Sequence, residues 1–393
     1  MKTLRNALFQ VHWIVGITAG CVLALVGLTG AMLSFEEKIV SVLNEDARTV
    51  MPRSTAPLSV PQLLKRIELQ HPDARVASLL VFGSPSQAWR VTFEPASARA
   101  VDGQARGASR YVNPYTGSLS LEPGDRGESF FRSVRSLHRW LMLGEWGNRD
   151  VGRQITGACA LLLVLMCATG LYLRWPRNGH TFRSWLVPDF ALRGRSFLWN
   201  LHATVGTWLL LFYLVIALTG LQWSYEWYRN GLYALAGVER SERPERSRAL
   251  ELAGRAPDLS RAWRVFLEET ETSGFNRAIL RIPRGGPDSP VEIRYLEANP
   301  AHSRAYNTLA VEPVTGVVVK HERYAEKNAG GKLIASVFAL HSGQFFGTPG
   351  MLAFMLASLG MPLFAVTGWM LYLDRRKRKA RSRARMAALT PVT

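Results

Sequence analysis

The chain has 393 residues, a mean hydropathy of +0.01 and a formal net charge of +18. Near-zero mean hydropathy in a chain that contains several long apolar blocks excludes both an ordinary soluble protein and a pure membrane bundle. The three cysteines, Cys21, Cys159 and Cys167, all lie within apolar blocks. Disulfides therefore do not hold the polar regions together.

Four apolar blocks predict four membrane-spanning helices, because each is long enough to cross a bilayer. The blocks are residues 7–35, 155–173, 196–225 and 333–373. The first follows Lys2 and Arg5 as in a signal peptide, but its charge-free run is about twice a signal-peptide core, so we expect a retained anchor. The fourth block is too long for one straight span, and we expect Gly347, Pro349 and Gly350 to break it.

The positive charge is concentrated on one predicted side of the membrane. The first five residues, residues 174–195 and residues 374–385 together hold fifteen basic residues against two acidic ones. A four-span topology puts these segments and both termini on one side, which the positive-inside rule makes cytoplasmic. The charge thus indicates topology and contact with anionic lipid, and not binding to nucleic acid.

Two polar regions, residues 36–130 and 226–332, are predicted to lie on the opposite side. In the first, Val60–Gln70 has the pattern of an amphipathic helix, and residues 75–94 have that of strands around a Gly-Ser-Pro turn. Each region contains x-Pro-x-Thr-Gly at the tip of a predicted hairpin. At about 100 residues, each region is large enough for one small α+β domain.

The chain carries one sequence pattern twice. His12 and His202 each precede a glycine by four positions and the glycine of a Thr-Gly pair by eighteen. His138 and His341 each follow a leucine and precede glycines by six and nine positions. Further Thr-Gly pairs stand near the ends of the second and fourth blocks. We interpret this order of span, domain and span, present twice, as an internal two-fold repeat.

Four of the eight histidines occupy these repeated positions. An imidazole inside an apolar span is costly to leave unpaired and is therefore a functional candidate. By topology, His12 and His202 lie near the cytoplasmic face, and His138 and His341 lie near the outer face. Two imidazoles at equal depth suit the two axial positions of haem b, and two such sites would form a path for single electrons. Because the chain lacks Cys-x-x-Cys-His, attachment would be non-covalent.

Other interpretations of the four histidines stay open at this point. They can instead hydrogen-bond between helices and hold the bundle, whereas zinc is disfavoured because no cysteine or carboxylate accompanies them at depth. Small residues near them would let a macrocycle or a neighbouring helix approach, namely Gly16, Gly27, Gly30, Gly206 and Gly220. The remaining histidines are expected to be solvated in polar loops, with His180 a possible substitute ligand: His71, His180, His302 and His321.

Cationic residues near the span ends are candidates for binding haem propionates, although each could equally extend along the membrane interface. They are Arg139, Arg153 and Lys332 on the outer side and Arg5, Arg174 and Arg195 on the inner side. The sequence has no dinucleotide-binding glycine motif after a strand, no P-loop and no room for a flavin domain in its cytoplasmic loops. The electron donor would therefore be a quinol or a separate cytoplasmic reductase.

The combination of these motifs resembles the PepSY-associated transmembrane family, and within it the di-haem inner-membrane ferrisiderophore reductases of the ferrioxamine type. The resemblance rests on the His-x-x-x-Gly and Thr-Gly spans, on the Leu-His-Arg-Trp of 137–140, on residues 169–177 and on the two hairpins. It implies periplasmic PepSY domains, two non-covalent haems bound by histidines at the span ends, and reduction of siderophore-bound Fe(III). The ligands would be His12, His138, His202 and His341.

The predicted fold is thus a membrane α-helical protein with four transmembrane helices, an internal two-fold repeat and two periplasmic α+β PepSY-like domains. The spans with their interfacial parts are residues 1–35, 131–174, 196–225 and 333–373. The two PepSY-like domains are residues 36–130 and 226–332, and the basic cytoplasmic loop and tail are residues 175–195 and 374–393. The expected function is that of an inner-membrane ferrisiderophore reductase. Two alternatives remain, a haem-binding electron carrier for another acceptor and a haem-free membrane sensor or protease regulator. A third, a transporter, is disfavoured because the four apolar blocks lack carboxylates.

Overall fold

The computed structural model describes residues 2–94, 109–120, 126–175, 182–239, 259–283 and 289–389. The chain divides into two compact units. The first comprises Met1–Glu36, Phe130–Leu232 and Phe338–Thr393, and the second comprises Glu37–Ser129 and Tyr233–Val337.

The first unit is built from helices. They are α1 (Lys2–Leu33), α5 (Glu128–Trp140), α6 (Arg149–Arg174), α7 (Phe182–Leu186), α8 (Gly194–Ser224) and α12 (Gly347–Leu389), joined by α9 (Glu226–Leu235) and α11 (Ala329–His341), which continue into the second unit. Four of these contain apolar segments long enough to cross a membrane: Thr3–Leu33, Arg149–Arg174, Gly194–Ser224 and Gln344–Arg383. This confirms four helices of the length and apolar composition that were predicted.

The four long helices pack around one apolar core. Helix α1 contacts α6 and α12, and α8 contacts the same two helices. Side chains from all four helices form the buried core, among them Val15, Leu163, Tyr213 and Met361. Large apolar side chains such as Leu211, which is 70% exposed, cover the outside of the unit, as expected for a surface in contact with lipid.

The fourth apolar block is interrupted between His341 and Gly347, so Gly347, with a φ of +65°, marks the break as predicted, whereas Pro349 and Gly350 do not. Helix α11 ends at His341, and the chain turns at Gly343, whose φ is +73°. Helix α12 then begins at Gly347 and includes both Pro349 and Gly350. Proline is compatible with this place because the first turn of a helix leaves backbone N–H groups without helical partners anyway.

The second unit is a sheet covered by helices. Its strands are β1 (Val76–Phe82), β2 (Trp89–Phe93), β3 (Ser109–Val112), β4 (Phe275–Arg281), β5 (Val291–Glu297), β6 (Asn307–Val311) and β7 (Val318–Glu322). Its helices are α2 (Glu36–Leu43), α3 (Glu45–Arg48), α4 (Val60–Gln70) and α10 (Leu259–Glu269). The predicted helix Val60–Gln70 and the predicted strands on either side of the Gly-Ser-Pro turn are confirmed.

The two polar regions of the sequence share one seven-stranded antiparallel sheet, where two separate domains were expected. Its strand order is β3-β2-β1-β4-β5-β6-β7, so β1 of the first region pairs with β4 of the second. Leu80 lies opposite Ile279 at the middle of this pair. The physical reason is that each region alone would expose an unpaired edge strand, and pairing the two edges satisfies both.

One hydrophobic core fills the space between the sheet and the helices α4 and α10. It joins side chains from both polar regions, including Leu63, Leu79, Phe266 and Ile293. At the two hairpin tips, Gly117 and Gly316 have φ values of +73° and +78°. Glycine adopts this backbone conformation without steric cost, which accounts for the shared Pro-x-Thr-Gly sequence.

Candidate functional site

The structure brings the four repeated histidines together as two pairs. His12 of α1 and His202 of α8 have ring centroids 6.4 Å apart, with their planes at 75°. His138 of α5 and His341 of α11 also have centroids 6.4 Å apart, with planes at 68°. We refer to these as the His12/His202 pair and the His138/His341 pair. Each joins one histidine from each half of the chain.

The two pairs are held by different kinds of helix. His12 and His202 lie within the long helices α1 and α8. His138 stands in the last turn of α5, and His341 is the last residue of α11. Both of these short helices end in tight turns, because positive φ values follow at Leu141 and Met142 in one case and at Gly343 in the other.

The pairs lie at opposite ends of the four long helices. His138 lies beside Val26 and Thr29 of α1, because its Nδ1 is within hydrogen-bond distance of the Val26 carbonyl and of Thr29 Oγ1. Thr29 stands 17 residues after His12 in the same helix. At a rise of about 1.5 Å per residue, the two pairs are about 25 Å apart along the helix axis.

A threonine holds each ring of the His12/His202 pair. Thr169 Oγ1 lies 2.8 Å from Nδ1 of His12, and Thr367 Oγ1 lies 2.7 Å from Nδ1 of His202. Each hydroxyl donates its own hydrogen to a carbonyl one turn earlier in its helix, at Leu165 or at Leu363. Its oxygen can therefore accept the Nδ1–H of the imidazole.

Each ring of the His138/His341 pair has a backbone acceptor in addition to a threonine. Nδ1 of His138 lies 3.0 Å from the carbonyl oxygen of Val26 and 3.2 Å from Thr29 Oγ1. Nδ1 of His341 lies 3.0 Å from the carbonyl oxygen of Ile216 and 3.0 Å from Thr219 Oγ1. A carbonyl only accepts, so Nδ1 carries the hydrogen and Nε2 keeps its lone pair.

Glycines beside the threonines allow the imidazoles to lie against the helix backbone. A Cβ on Gly30 would be 3.1 Å from Cε1 of His138, and one on Gly220 would be 3.3 Å from Cε1 of His341. Gly170 has the same relation to His12, at 3.3 Å, whereas a Cβ on Gly368 would meet nothing within 4 Å. The glycines of three Thr-Gly pairs thus serve ring placement. The predicted close approach of a neighbouring helix is found at Gly27, which faces Met361 and the Ser358 carbonyl.

Burial keeps the imidazoles of His138 and His341 neutral. All four histidines of the two pairs are half-buried. At His138 and His341, which lie outside the four candidate spans, burial of the ring lowers the pKa to about 4. Both rings are therefore neutral at pH 7 and retain a lone pair for a metal ion.

One ring of each pair contacts an aromatic side chain edge-on. Phe364 packs against His202 with centroids 5.0 Å apart, and Trp223 packs against His341 at 5.3 Å. A Cβ on Gly206 would be 3.5 Å from Phe364, and a Cβ on Gly16, the corresponding glycine of the first half, would be 3.4 Å from Met166. Met166 therefore occupies the position in the first half that Phe364 occupies in the second. Among the described residues, a phenylalanine or tryptophan ring thus contacts only the second-half histidine of each pair.

Most of the cationic residues proposed as propionate partners have interactions within the protein. Arg5 donates to the Leu173 carbonyl, and Arg174 donates to Thr204 Oγ1 and the Trp185 carbonyl. Ion pairs join Arg153 to Asp150 and Arg195 to Asp374, and Arg139 lies over the ring of Trp140. These contacts give the arginines structural roles at the ends of the helices.

Two of the other histidines differ from the prediction of solvated loop residues. His302 is buried and bonded to Ser336 at 3.0 Å. His321 belongs to strand β7 and bonds to Tyr295 and Glu269. Both were misassigned because their sequence surroundings are polar although the sheet unit packs over them. His71 contacts Phe93, and His180 lies outside the described residues.

The threonines are the site residues that the sequence prediction missed. The repeated Thr-Gly pairs, Thr29-Gly30, Thr169-Gly170, Thr219-Gly220 and Thr367-Gly368, stand near the ends of the four apolar blocks, one for each repeated histidine, whereas a fifth pair in these blocks, Thr156-Gly157, stands at the start of the second block. The repetition of four of these pairs in the two halves of the chain was the available signal. It was not decisive, because the partner of each histidine stands 109 to 165 residues away in the sequence.

Within the described ranges, no group of three or more histidine, cysteine or carboxylate side chains is arranged to hold a metal ion by itself. The three cysteines are unpaired. The donor set of this part of the chain is therefore two separate pairs of imidazoles. Such a pair suits a metal that brings its other ligands with it, because two axial nitrogens are all that the protein then supplies.

Comparison with known proteins places the chain in a family context. The family model described as the PepSY-associated TM region matches residues 9–375. This match covers both halves and all four histidines. A comparison with curated protein sequences found no match.

Proposed function

The chain belongs to the PepSY-associated transmembrane family, and we propose that it is a di-haem b electron-transfer protein that reduces siderophore-bound Fe(III). The axial ligands would be His12 with His202 and His138 with His341. The protein would lie in the bacterial inner membrane with both termini in the cytoplasm and the sheet unit in the periplasm. The positive-inside distribution of basic residues supports that orientation.

The observation that carries the proposal is the identical spacing of two histidine pairs. An imidazole nitrogen lies about 2 Å from a metal ion that it binds, so two imidazoles on opposite sides of one ion have ring centres roughly 6 Å apart. Both pairs have centroids 6.4 Å apart. The alternative is that the histidines only form hydrogen bonds that hold the helices together. That role does not require the ring centroids to be equally far apart in the His12/His202 pair and in the His138/His341 pair.

The hydrogen bonds of the rings fit the same assignment. Ligating histidines generally donate their second ring nitrogen to an oxygen, which fixes the tautomer and the ring orientation. Here an oxygen lies within 3.2 Å of Nδ1 in every one of the four histidines. Nε2 is the remaining nitrogen of each ring and would bind the iron.

The internal repeat is part of the proposal, because it explains why each pair takes one histidine from each half. Two helices of 11 residues, α4 and α10, and two strands of seven residues, β1 and β4, occupy corresponding places in the two halves. Corresponding threonines also hold corresponding histidines. A duplicated unit would bring its two copies of each histidine to the axis between the halves.

Haem b would supply a one-electron couple at each pair. The residues of this chain would hold its iron through Nε2, keep the Nδ1 hydrogen in place through a threonine, and exclude water with apolar side chains of the four long helices. Among these, Val15, Leu163 and Ala357 form part of the buried core. Such a site in each half of the bilayer suits the transfer of electrons and not of protons or solutes.

The proposed substrate follows from the family resemblance and from the chemistry of iron. Hydroxamate oxygens are hard ligands that favour Fe(III) over Fe(II), so addition of one electron weakens the complex. The balanced step is reduction of one ferric chelate to one ferrous chelate by one electron. That electron would come from a quinol or from a cytoplasmic reductase, since the sequence has no flavin- or nicotinamide-binding motif.

The first experiment is an absorption spectrum of the detergent-purified protein, oxidised and then reduced with dithionite, together with the ratio of haem to protein. We expect a low-spin b-type spectrum and about two haems per chain. The reduced protein is then mixed with ferric hydroxamate siderophores, other ferric chelates, quinones and dyes. Reoxidation by ferric siderophores at the highest rate supports the proposed substrate.

Other outcomes separate the alternatives. Two haems with preference for a quinone or dye would make the protein an electron carrier for another acceptor. One haem would leave one pair with a structural role. A colourless protein, obtained although haem was supplied during expression, would overturn the proposal and favour a membrane sensor that uses its sheet unit for regulation.

A further inference from the structure

We infer that Thr169 and Thr367 are positioning residues on which the His12/His202 haem site depends, whereas backbone carbonyls make the His138/His341 site much less dependent on its threonines. The inference rests on the proposed function, because it concerns how the four histidines are prepared to bind iron. It goes beyond that function by assigning different control of ligand orientation to the two ends of the protein.

At the His12/His202 pair, the threonine hydroxyl is the one Nδ1 partner that the described structure gives each ring. The distances are 2.8 Å for Thr169 and 2.7 Å for Thr367. Both threonines are 3% exposed, so water does not easily replace the hydroxyl. A hydroxyl can accept or donate, and only its own bond to the Leu165 or Leu363 carbonyl leaves it as an acceptor for the ring.

At the His138/His341 pair, each Nδ1 also has a carbonyl oxygen 3.0 Å away, from Val26 or from Ile216. A side-chain substitution does not remove a backbone carbonyl, and a carbonyl cannot act as a donor. The Nδ1–H tautomer is therefore retained when Thr29 or Thr219 is replaced. The sequence can change more at this end without loss of ligand orientation.

The difference predicts separate effects on binding and on redox chemistry. Loss of the hydrogen-bond partner of a ligating histidine typically weakens metal binding by about 10–100-fold. It also makes the imidazole a weaker electron donor, which stabilises ferric iron less and raises the reduction potential. Both effects should be large for Thr169 and Thr367 and small for Thr29 and Thr219.

The experiment compares three double variants of the full chain in which threonine is replaced by valine of nearly the same shape. T169V/T367V removes the hydroxyls of the His12/His202 pair, and T29V/T219V removes those of the His138/His341 pair. T18V/T207V is the matched control, because Thr18 and Thr207 bond only to carbonyls of their own helices in the described structure. The serine variants T169S/T367S and T29S/T219S test whether a hydroxyl without the methyl group restores the site.

The readouts are haem content after dilution in detergent, the two midpoint potentials from a redox titration, and the electron paramagnetic resonance spectrum of the ferric protein. We expect T169V/T367V to lose one haem about 10–100-fold more readily and to raise one potential. T29V/T219V should shift the other potential by less and keep both haems. T18V/T207V should match the wild type, and T169S/T367S should restore wild-type values.

The outcomes distinguish this inference from the proposed function. Equal shifts in the two valine variants, or no shift in either, would overturn the inference while two haems in the wild type upheld the function. If T169V/T367V aggregates, T169S/T367S decides the matter, because failure of serine to retain haem would show that the hydroxyl is not what the site needs. A wild-type protein without haem would overturn both.

Discussion

The His12/His202 pair and the His138/His341 pair have the same separation and reach it by different means. One pair lies within long helices and its ring nitrogens bond to side-chain hydroxyls. The other lies at the ends of short helices and its ring nitrogens bond to backbone carbonyls as well. The same ring separation is thus reached with two kinds of hydrogen-bond partner, a side-chain hydroxyl and a backbone carbonyl. A side-chain substitution can remove the hydroxyl but not the carbonyl.

The largest expected effect follows from removing the ligands pair by pair. H12A/H202A and H138A/H341A should each lower the haem content from about two per chain to about one, because an iron without its axial imidazoles is not retained. The spectrum that remains in each variant then assigns the two haem signals to the two pairs. Haem-to-protein ratio and the reduced-minus-oxidised spectrum are the measurements.

A histidine outside both pairs provides the control for this experiment. H71A changes a ring that contacts Phe93 in the sheet unit and should leave both haem signals unchanged. Loss of both haems from either double variant, with the protein still monodisperse, would contradict the independence of the two pairs. Retention of both would show that the histidines are not ligands.

A smaller effect is expected from adding one methyl group beside a ring. In G30A, the new Cβ would lie 3.1 Å from Cε1 of His138, and the displacement should cost about 1–3 kcal/mol and shift one haem signal. In G368A, where a Cβ meets nothing within 4 Å, the change should be neutral or stabilise the helix by up to about 1 kcal/mol. Thermal unfolding in detergent and the absorption spectrum measure both effects.

The glycine comparison is contradicted if the two variants behave alike. Equal destabilisation would mean that the helix tolerates no Cβ at either position, irrespective of the imidazole. G170A and G220A, with distances of 3.3 Å to the rings of His12 and His341, should lie between the two extremes.

The smallest effect concerns the aromatic contact of His202. F364L removes an edge-on ring contact at 5.0 Å, and aromatic pairs contribute about 0.5–1.5 kcal/mol. The ring of His202 should become less restrained, which would broaden only the spectrum of the His12/His202 site. M166L, at the corresponding position of the first half, should leave that spectrum unchanged, and broadening in both variants would contradict a specific role for the aromatic ring.

The periodic and compositional features of the sequence were sufficient to predict the four long helices and part of the secondary structure of the sheet unit. Charge-free blocks predicted the four spans, and alternation with turn residues predicted β1, β2 and the two hairpins. The sequence was insufficient where pairing partners are far apart. The β1–β4 pair joins residues about 200 positions apart, and strands alone do not indicate whether two small sheets remain separate or share an edge.

The histidines of the site were predictable and their supports were not. An imidazole in an apolar block is rare enough to be noticed, and its repetition predicted which two would meet. A threonine in an apolar helix is common and usually bonds to its own backbone, as Thr18 does. The carbonyls of Val26 and Ile216 leave no trace in the sequence, because every residue has one.

The pairing of β1 with β4 at the centre of the sheet bears on whether the two halves of the protein must belong to one polypeptide. Ser78 faces Arg281 and Phe82 faces Arg277, so each seven-residue strand presents its third and seventh positions to the seventh and third of the other. A contact of this reciprocal kind is the one that two identical molecules form about a two-fold axis. If the chain is divided between its two halves, the two polypeptides should therefore reassemble without the peptide bond that joined them. Each polypeptide would supply one histidine to each of the two pairs.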